Sequence, residues 1–529
     1  MIRIHEISMP PEHTLEEVRK EALCMLKLPE EKVRNFRIFR RSVDARKKPD
    51  VRIVYTADLK VSGNEKQILK RSGCRRAEIV NPMRYQPPKP AVPCPARPVI
   101  VGFGPAGIFA GLVLALAGAK PLILERGEAI DDRAQKTELF FRTGKLDPSS
   151  NIQFGEGGAG AFSDGKLNTG VNNPRIHWIL EQFVEAGARE DILIDARPHV
   201  GTDYLQKAVR NLRRKIESLG GEIRFRTAVT GFREKNGSLT GVETQNGEMI
   251  PCRQVLLAVG HSARDTFRML YDRGISMESK PFAAGVRIEH LQKQINRAQY
   301  GEENDFLPPA EYKLVRHLAD RTVYTFCMCP GGYVMAAASE EGGVVTNGMS
   351  YADRDGENAN AALLVTVNPR DFADSGPLAG MEWQRKMEQA AFEAGGRSYR
   401  APAQLVGDFL DGKPSSGPGK VQPTYRPGVV WTDLHGVLPK ELTCALEEAL
   451  PQLDRNLAGF ASCDAVLTGP VSRSSSPVRI LRDESRQSSL RGLYPAGEGA
   501  GYAGGIMSAA IDGILSAEEM IRIWEEREK

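Results

Sequence analysis

The strongest chemical signal is Gly102-Phe-Gly104-Pro-Ala-Gly107, a G-x-G-x-x-G spacing followed by an apolar segment and then by Glu125. That spacing serves a phosphate pair. The first glycine allows a tight turn, the second lets backbone N–H groups reach a pyrophosphate, and the third lets a helix pack against a strand. A helix starting here, with Pro105 suited to its first turn, offers unpaired N–H groups and partial positive charge to the phosphates. Glu125 ends the next apolar run, Pro121-Leu-Ile-Leu, where a carboxylate can accept both hydroxyls of an adenosine ribose. A lone G-x-G-x-x-G is a weak signal. Here a strand, a helix, a second strand and a terminal acid all fall within about 30 residues, as a dinucleotide-binding unit requires.

Asp164, Lys166 and His261 are the candidate catalytic groups. Asp164 and Lys166 sit in a glycine-dense loop, with five glycines between Gly155 and Gly165, Gly158 among them. Such a loop loses much chain entropy on folding and makes sense where backbone must approach a flat ligand. Lys166 could steady a carboxylate there; an ordinary solvated lysine is the competing reading. His261 follows the buried run Val255–Gly260 and could donate a proton; a helix-start histidine competes. Arg473 and Arg479 are candidates for an anionic substrate or the pyrophosphate, against ordinary ion pairing. Cys327-Met-Cys329 puts two side chains on one face of an expected strand, which suits packing better than a redox pair.

These residues need several domains to position them. A chain of 529 residues exceeds one core. Residues 1–95 carry a net +9 within an overall charge of +4. Their pattern reads as a small βαββα module of ferredoxin-like type, with a basic turn at Asp44–Pro49 and a capping box starting at Thr14. A Pro-rich spacer, Pro82–Pro98, follows. Asp195–Gly201 reads as a strand and Tyr204–Leu219 as an amphipathic helix, then Glu222–Phe232 as strands turning at Asn236-Gly237. The region from Phe282 to Met349 reads as mainly β, and Met507 to about Glu526 as a long closing helix. The eight cysteines are scattered, which implies neither zinc nor a disulfide framework, and no metal is expected. With no apolar leader at Met1–Pro10 and no run long enough to cross a bilayer, a cytoplasmic protein is expected.

The combination resembles the glutathione-reductase-like FAD flavoprotein superfamily. The resemblance rests on Gly102-Phe-Gly-Pro-Ala-Gly107, Glu125-Arg126, Ala258-Val-Gly260, and Ala496-Gly-Glu-Gly with Gly504-Gly505-Ile506. Gln153-Phe-Gly-Glu-Gly-Gly, Ser163-Asp-Gly-Lys-Leu and Ser475-Ser-Pro-Val-Arg narrow it to a bacterial FAD-utilising dehydrogenase family. The fold implied is α/β: a Rossmann-type FAD-binding domain over 97–268 and 465–529, an inserted mainly β substrate domain over 269–464, and the N-terminal module. The implied FAD contacts are Gly102, Gly104, Pro105, Ala106, Gly107, Glu125, Arg126, Gly158, Val229, Gly260, Gly497, Glu498, Gly504, Gly505 and Ile506. The superfamily usually carries aspartate where this chain has Glu498. The closing helix would aim its N-terminus at the flavin and favour its anionic reduced form.

No second strand–helix–strand unit opening on G-x-G-x-x-G and no C-x-x-C is present, so NAD(P)H is expected only as a transient donor without its own domain. The expected activity is a FAD-dependent oxidoreductase acting on a small organic molecule. The alternatives are a flavin-dependent RNA- or tRNA-modifying protein, binding nucleic acid through residues 1–95, and a non-enzymatic flavin sensor.

Overall fold

A computed structural model describes residues 1–82 and 84–526; Met83, in the Pro-rich spacer, and residues 527–529, at the end of the expected FAD domain, lie outside the described residues. At its centre Val99–Val101 forms the middle strand of a five-stranded parallel sheet, ordered 493–495, 255–257, 99–101, 122–124, 222–224. The three central strands read Val-Leu-Leu, Val-Ile-Val and Leu-Ile-Leu and are buried throughout. Unbroken apolar runs of this kind suit a parallel sheet covered on both faces.

One face is covered by the helices Pro105–Leu116, Thr202–Ser218 and Ile506–Glu526, which share a core with Ile100, Ile123 and Leu256. The other face packs Val99, Val101 and Leu257 against the antiparallel strands 229–235, 238–244 and 249–251 and the helix Arg264–Asp272. Two strands of that layer turn at Asn236-Gly237, both residues at positive φ, as expected for an Asn-Gly hairpin.

The second large unit is a seven-stranded sheet, ordered 315–317, 322–329, 358–367, 282–291, 466–471, 401–405, 429–431. Only its last pair is parallel. Val466–Val471 runs inside this sheet, paired to 282–291 and 401–405, although the sequence boundary at 464/465 assigned it to the FAD domain. Its residues are all buried, and a strand buried on both faces carries no alternation to betray which sheet it joins.

Residues 1–79 fold as a four-stranded antiparallel sheet, ordered 33–44, 52–61, 2–9, 77–79, with the helices Leu15–Leu26 and Glu65–Ser72. Thr14 caps the first helix, reciprocally with Glu17. This unit docks through Arg41, whose Nε lies 2.7 Å from Asp195 Oδ1 while its backbone bonds Ile194 and Ala196. Residues 195–201, expected as a strand, make only isolated bridges at Asp195 and His199. With pairing spent on two different partners, no ladder forms. Among the described residues no helix is long and apolar enough to cross a membrane.

Candidate functional site

The C-terminal ends of strands 99–101 and 255–257 open into a cleft of about 570 Å³ that continues to the seven-stranded sheet. Its near wall is the glycine turn. Gly102 takes φ +98°, and a Cβ there would lie 2.4 Å from Ala258 O. A Cβ on Gly107 would sit 2.0 Å from Gly102 O, so this glycine sets how closely the helix Pro105–Leu116 approaches its strand. Gly104 is different. Its φ is −82°, and an added Cβ would meet nothing nearer than Gly158 Cα at 3.7 Å. The space beside Gly104 is thus kept free for something other than protein. Pro105, Ala106 and Gly158 line the cleft with it, as do Gly260, Gly497, Gly504, Gly505 and Ile506 at the far end. A Cβ on Gly260, Gly504 or Gly505 would meet no protein atom within 4 Å. Two helix N-termini, at Pro105 and Ile506, therefore face one glycine-lined space. A pyrophosphate and the electron-rich edge of a flat cofactor fit these two ends.

Glu125 is buried, and its carboxylate accepts backbone N–H groups of Phe103 at 2.8 Å, Gly127 at 2.9 Å and Gly155 at 3.0 Å. It ties the glycine turn to the glycine-dense loop while still bordering the cleft. Arg126 lies over the Phe154 ring, 4.5 Å from its centroid, and pairs with Asp265 at 3.0 Å. Thr227, Ala228 and Val229 complete that wall.

His261 and Glu498 sit side by side on the cleft lining, Nε2 to Oε1 at 3.9 Å. Burial pushes His261 down to about 3, with Arg473 and Arg264 adding to the effect. Burial pushes Glu498 up to about 7, opposed by Lys280. The pair thus holds a neutral imidazole beside a carboxyl that exchanges its proton near neutrality. The backbone around Glu498 is fixed from behind, where Gly497 N donates to Asp512 Oδ2 at 2.7 Å and Arg482 grips the same carboxylate.

Lys166 is not a solvated lysine. Its Nζ lies 3.2 Å from Asp164 and 3.1 Å from Glu311, and Arg354 bridges the same two carboxylates at 2.8 and 2.7 Å. Burial pulls the Lys166 ammonium down, but Asp164 and Glu311 outweigh it and leave it above the usual lysine value. Burial likewise pushes Glu311 up, but Lys166 and Arg354 hold it at about 2. Lys166 and Glu311 border the cleft, whereas Asp164 is fully buried behind them and takes a further bond from Ser350. Asp164 therefore positions Lys166 and does not itself face a ligand.

The two arginine candidates separate. Arg473 borders the cleft, but its guanidinium is committed to Glu388 at 2.9 and 2.8 Å and to Ser339 at 2.5 Å. Arg264 grips the same Glu388 at 2.9 Å through both ends. Burial pushes Glu388 up, but the two guanidiniums hold its carboxyl well below the usual range. Arg479 lies outside the cleft, paired with Glu278 at 3.3 Å. Both side chains are engaged in ion pairs, the reading that competed with anion binding, and of the two only Arg473 borders the cleft. The basic N-terminal turn is also engaged: Arg46 pairs with Asp44 at 2.6 Å, and Lys48 Nζ donates to Ala298 O at 2.6 Å.

Sequence reasoning missed Glu311, Arg354 and Arg287, because they come from distant strands and loops with no local motif. It also misplaced Cys327. The ladder between 322–329 and 358–367 slips between Phe326 and Cys329, and Cys327 takes φ +42°, so the two thiols do not sit on one regular strand face.

Fold and site together define a mixed α/β protein whose dinucleotide-type cradle opens onto a charged cleft. The chain belongs to the same family as an uncharacterized protein of Clostridium beijerinckii, to which it is 45% identical over 526 residues, 98% of each chain. Residues 281–474 match the family described as FAD-dependent protein, C-terminal domain-like, and residues 1–60 match a domain of unknown function (DUF8436). Among solved structures, the chain is similar to a geranylgeranyl bacteriochlorophyll reductase-like protein of Thermoplasma acidophilum, with 13% identity over 82% of this chain and 79% of that one and a TM-score of 0.34. It is also similar to glycine oxidase of Bacillus cereus, with 13% identity over 82% of this chain and 96% of that one and a TM-score of 0.31.

Proposed function

We propose that this chain is a cytoplasmic, FAD-dependent oxidoreductase that binds FAD non-covalently and passes hydride or electrons to or from a small organic molecule. The observation that carries the reading is the single cleft running from the Gly102–Gly107 turn to Gly504-Gly505, in which the missing side chains of Gly104, Gly260, Gly504 and Gly505 leave space that no protein atom fills. The match of residues 281–474 to an FAD-dependent family supports the same cofactor. Bound FAD would supply the two-electron chemistry, and the protein tunes it.

The chain's own groups have distinct work. Gly104 and the first turn of Pro105–Leu116 would bind the pyrophosphate, and Glu125 holds the turn in register while reaching the ribose. The N-terminus of Ile506–Glu526 favours negative charge at the cofactor's far end. Glu498, beside neutral His261, stores a proton at the cleft wall near neutral pH. Lys166, held by Asp164 and Glu311, presents a fixed cation to whatever enters from the side of the seven-stranded sheet. Anaerobic addition of NADH and then NADPH to the purified, flavin-containing protein tests the donor. Rapid bleaching by either supports the reading and identifies the reductant; a flavin that no two-electron donor or organic substrate changes would overturn it in favour of a flavin sensor.

A further inference from the structure

The buried guanidinium of Arg287 is the starting point. It is 1% exposed, and its Nη2 bonds the Cys327 carbonyl at 3.1 Å, the Cys329 sulfur at 3.6 Å and the Asn360 side chain. Its Nε is buried without a hydrogen-bond partner. Among the described residues no carboxylate pairs with it. A buried cation without a counter-charge is costly, so a negative group is expected beside it. The groups in place are the Cys329 sulfur, which Arg287 touches, and Cys327 two residues before it, whose carbonyl Arg287 also bonds.

The backbone is arranged for the same pair. In a regular strand, residues two apart are separated by roughly 6.6 Å, at the upper edge of what a disulfide spans. The slipped ladder and left-handed Cys327 break that regularity, and the slip brings the Cys329 Sγ–H to within 3.3 Å of the Cys327 carbonyl. A non-glycine residue held at positive φ carries strain that its surroundings must hold in place, and such strain clusters at functional sites. Cys327 borders the cleft and Cys329 is buried behind it. The neighbouring Cys329 thiol does most to lower Cys327; burial opposes it, Arg287 and Lys166 favour the thiolate and Asp164 resists it, so Cys327 lies below the usual thiol value and Cys329 well above it.

We propose that Cys327 and Cys329 are a redox-active dithiol on the cleft wall, with Cys327 as attacking thiolate, Cys329 as resolving thiol and Arg287 as the charge partner, acting on small disulfide compounds. Cys327 Sγ attacks one sulfur of R–S–S–R; that S–S bond breaks, R–S⁻ leaves, and a mixed disulfide forms. Cys329 then gives its proton to a leaving thiolate and attacks Cys327 Sγ, closing the Cys327–Cys329 bond and releasing the second R–S group. The protein pair loses two electrons and the external disulfide gains them. None of these steps needs bound flavin, so the inference stands or falls apart from the cofactor reading.

The test uses the full-length protein, held anaerobically with bis(2-hydroxyethyl) disulfide, quenched with N-ethylmaleimide and cleaved with trypsin. Both cysteines, and no others, fall in the tryptic peptide Thr322–Arg354. The expected result is that this peptide escapes maleimide and carries an internal disulfide that dithiothreitol reverses, while peptides holding the exposed Cys24, Cys444 and Cys463 stay labelled. Cys329→Ser should accumulate the probe as a mixed disulfide on Cys327. Arg287→Gln should slow Cys327 alkylation measured at pH 5, below the thiol's own pKa, about tenfold for each unit by which that pKa rises, with rescue by Arg287→Lys. A wild-type peptide carrying two maleimides at every probe concentration, with no adduct on Cys327 in Cys329→Ser, would overturn the proposal.

Discussion

Gly104→Ala and Gly107→Ala separate cofactor binding from folding, although both add one methyl group to the same turn. At Gly107 the new Cβ would fall 2.0 Å from Gly102 O, about 1 Å inside the closest contact real Cβ atoms tolerate. The neighbour is backbone, so strand 99–101 and the helix Pro105–Leu116 must separate. Overpacking of a rigid site costs about 1–3 kcal/mol, and the loss falls on the central sheet. At Gly104 the backbone is at an ordinary negative φ and the new Cβ has 3.7 Å to its nearest neighbour. The fold should lose only about 0.5 kcal/mol, from replacing glycine by alanine ahead of a helix. The methyl does occupy the space through which a pyrophosphate reaches the N–H groups. Losing one charge-assisted hydrogen bond there costs about 1.5–3 kcal/mol, or roughly 10- to 150-fold in Kd. The assay is paired: urea unfolding of flavin-free protein, and FAD titration followed by fluorescence quenching. The expected result is a stable Gly104→Ala that binds FAD weakly and a destabilised Gly107→Ala. A Gly104→Ala protein binding FAD as tightly as wild type would refute the assignment of this turn to the pyrophosphate.

Further outcomes follow from the charged groups. Glu388→Gln leaves Arg264 and Arg473 buried without their shared carboxylate and should destabilise the protein by about 3–5 kcal/mol, read as a lower urea midpoint at pH 7. Glu311 is held at about 2 against an ordinary 4.5, so its contribution to stability is complete above 4.5 and lost as pH falls towards 2. Urea midpoints should drop steeply below pH 4.5, and Glu311→Gln should flatten that limb. Glu498 is shifted the other way, to about 7, so its contribution is greatest below 4.5 and is lost as pH rises through 7. In the flavin-loaded protein, a plot of reduction potential against pH should break near 7, and Glu498→Gln should remove the break.

Much of the near wall could be read directly from sequence, because its signals are local. The turn Gly102–Gly107, the strand Leu122–Leu124 and Glu125 lie within one strand–helix–strand unit, where hydrophobic run length and glycine spacing suffice. The closing helix from Ile506 was legible for the same reason. The far wall was not. Lys166 meets Glu311 and Arg354 only because the glycine-dense loop packs against elements from the seven-stranded sheet region. A lysine in a polar loop gives no hint of the two carboxylates that hold it. Val466–Val471 was assigned to the wrong unit because a fully buried strand shows no alternation. Cys327 was misread because Thr-Val-Tyr-Thr-Phe-Cys-Met-Cys alternates like any half-buried strand, and nothing local announces a left-handed non-glycine residue.

The most direct test of the central claim is the visible spectrum of the purified full-length protein, followed by heat release and identification of the chromophore. The account predicts a flavin spectrum and the release of FAD at close to one per chain, with no flavin left covalently attached. A colourless protein that cannot be reconstituted with FAD would contradict it.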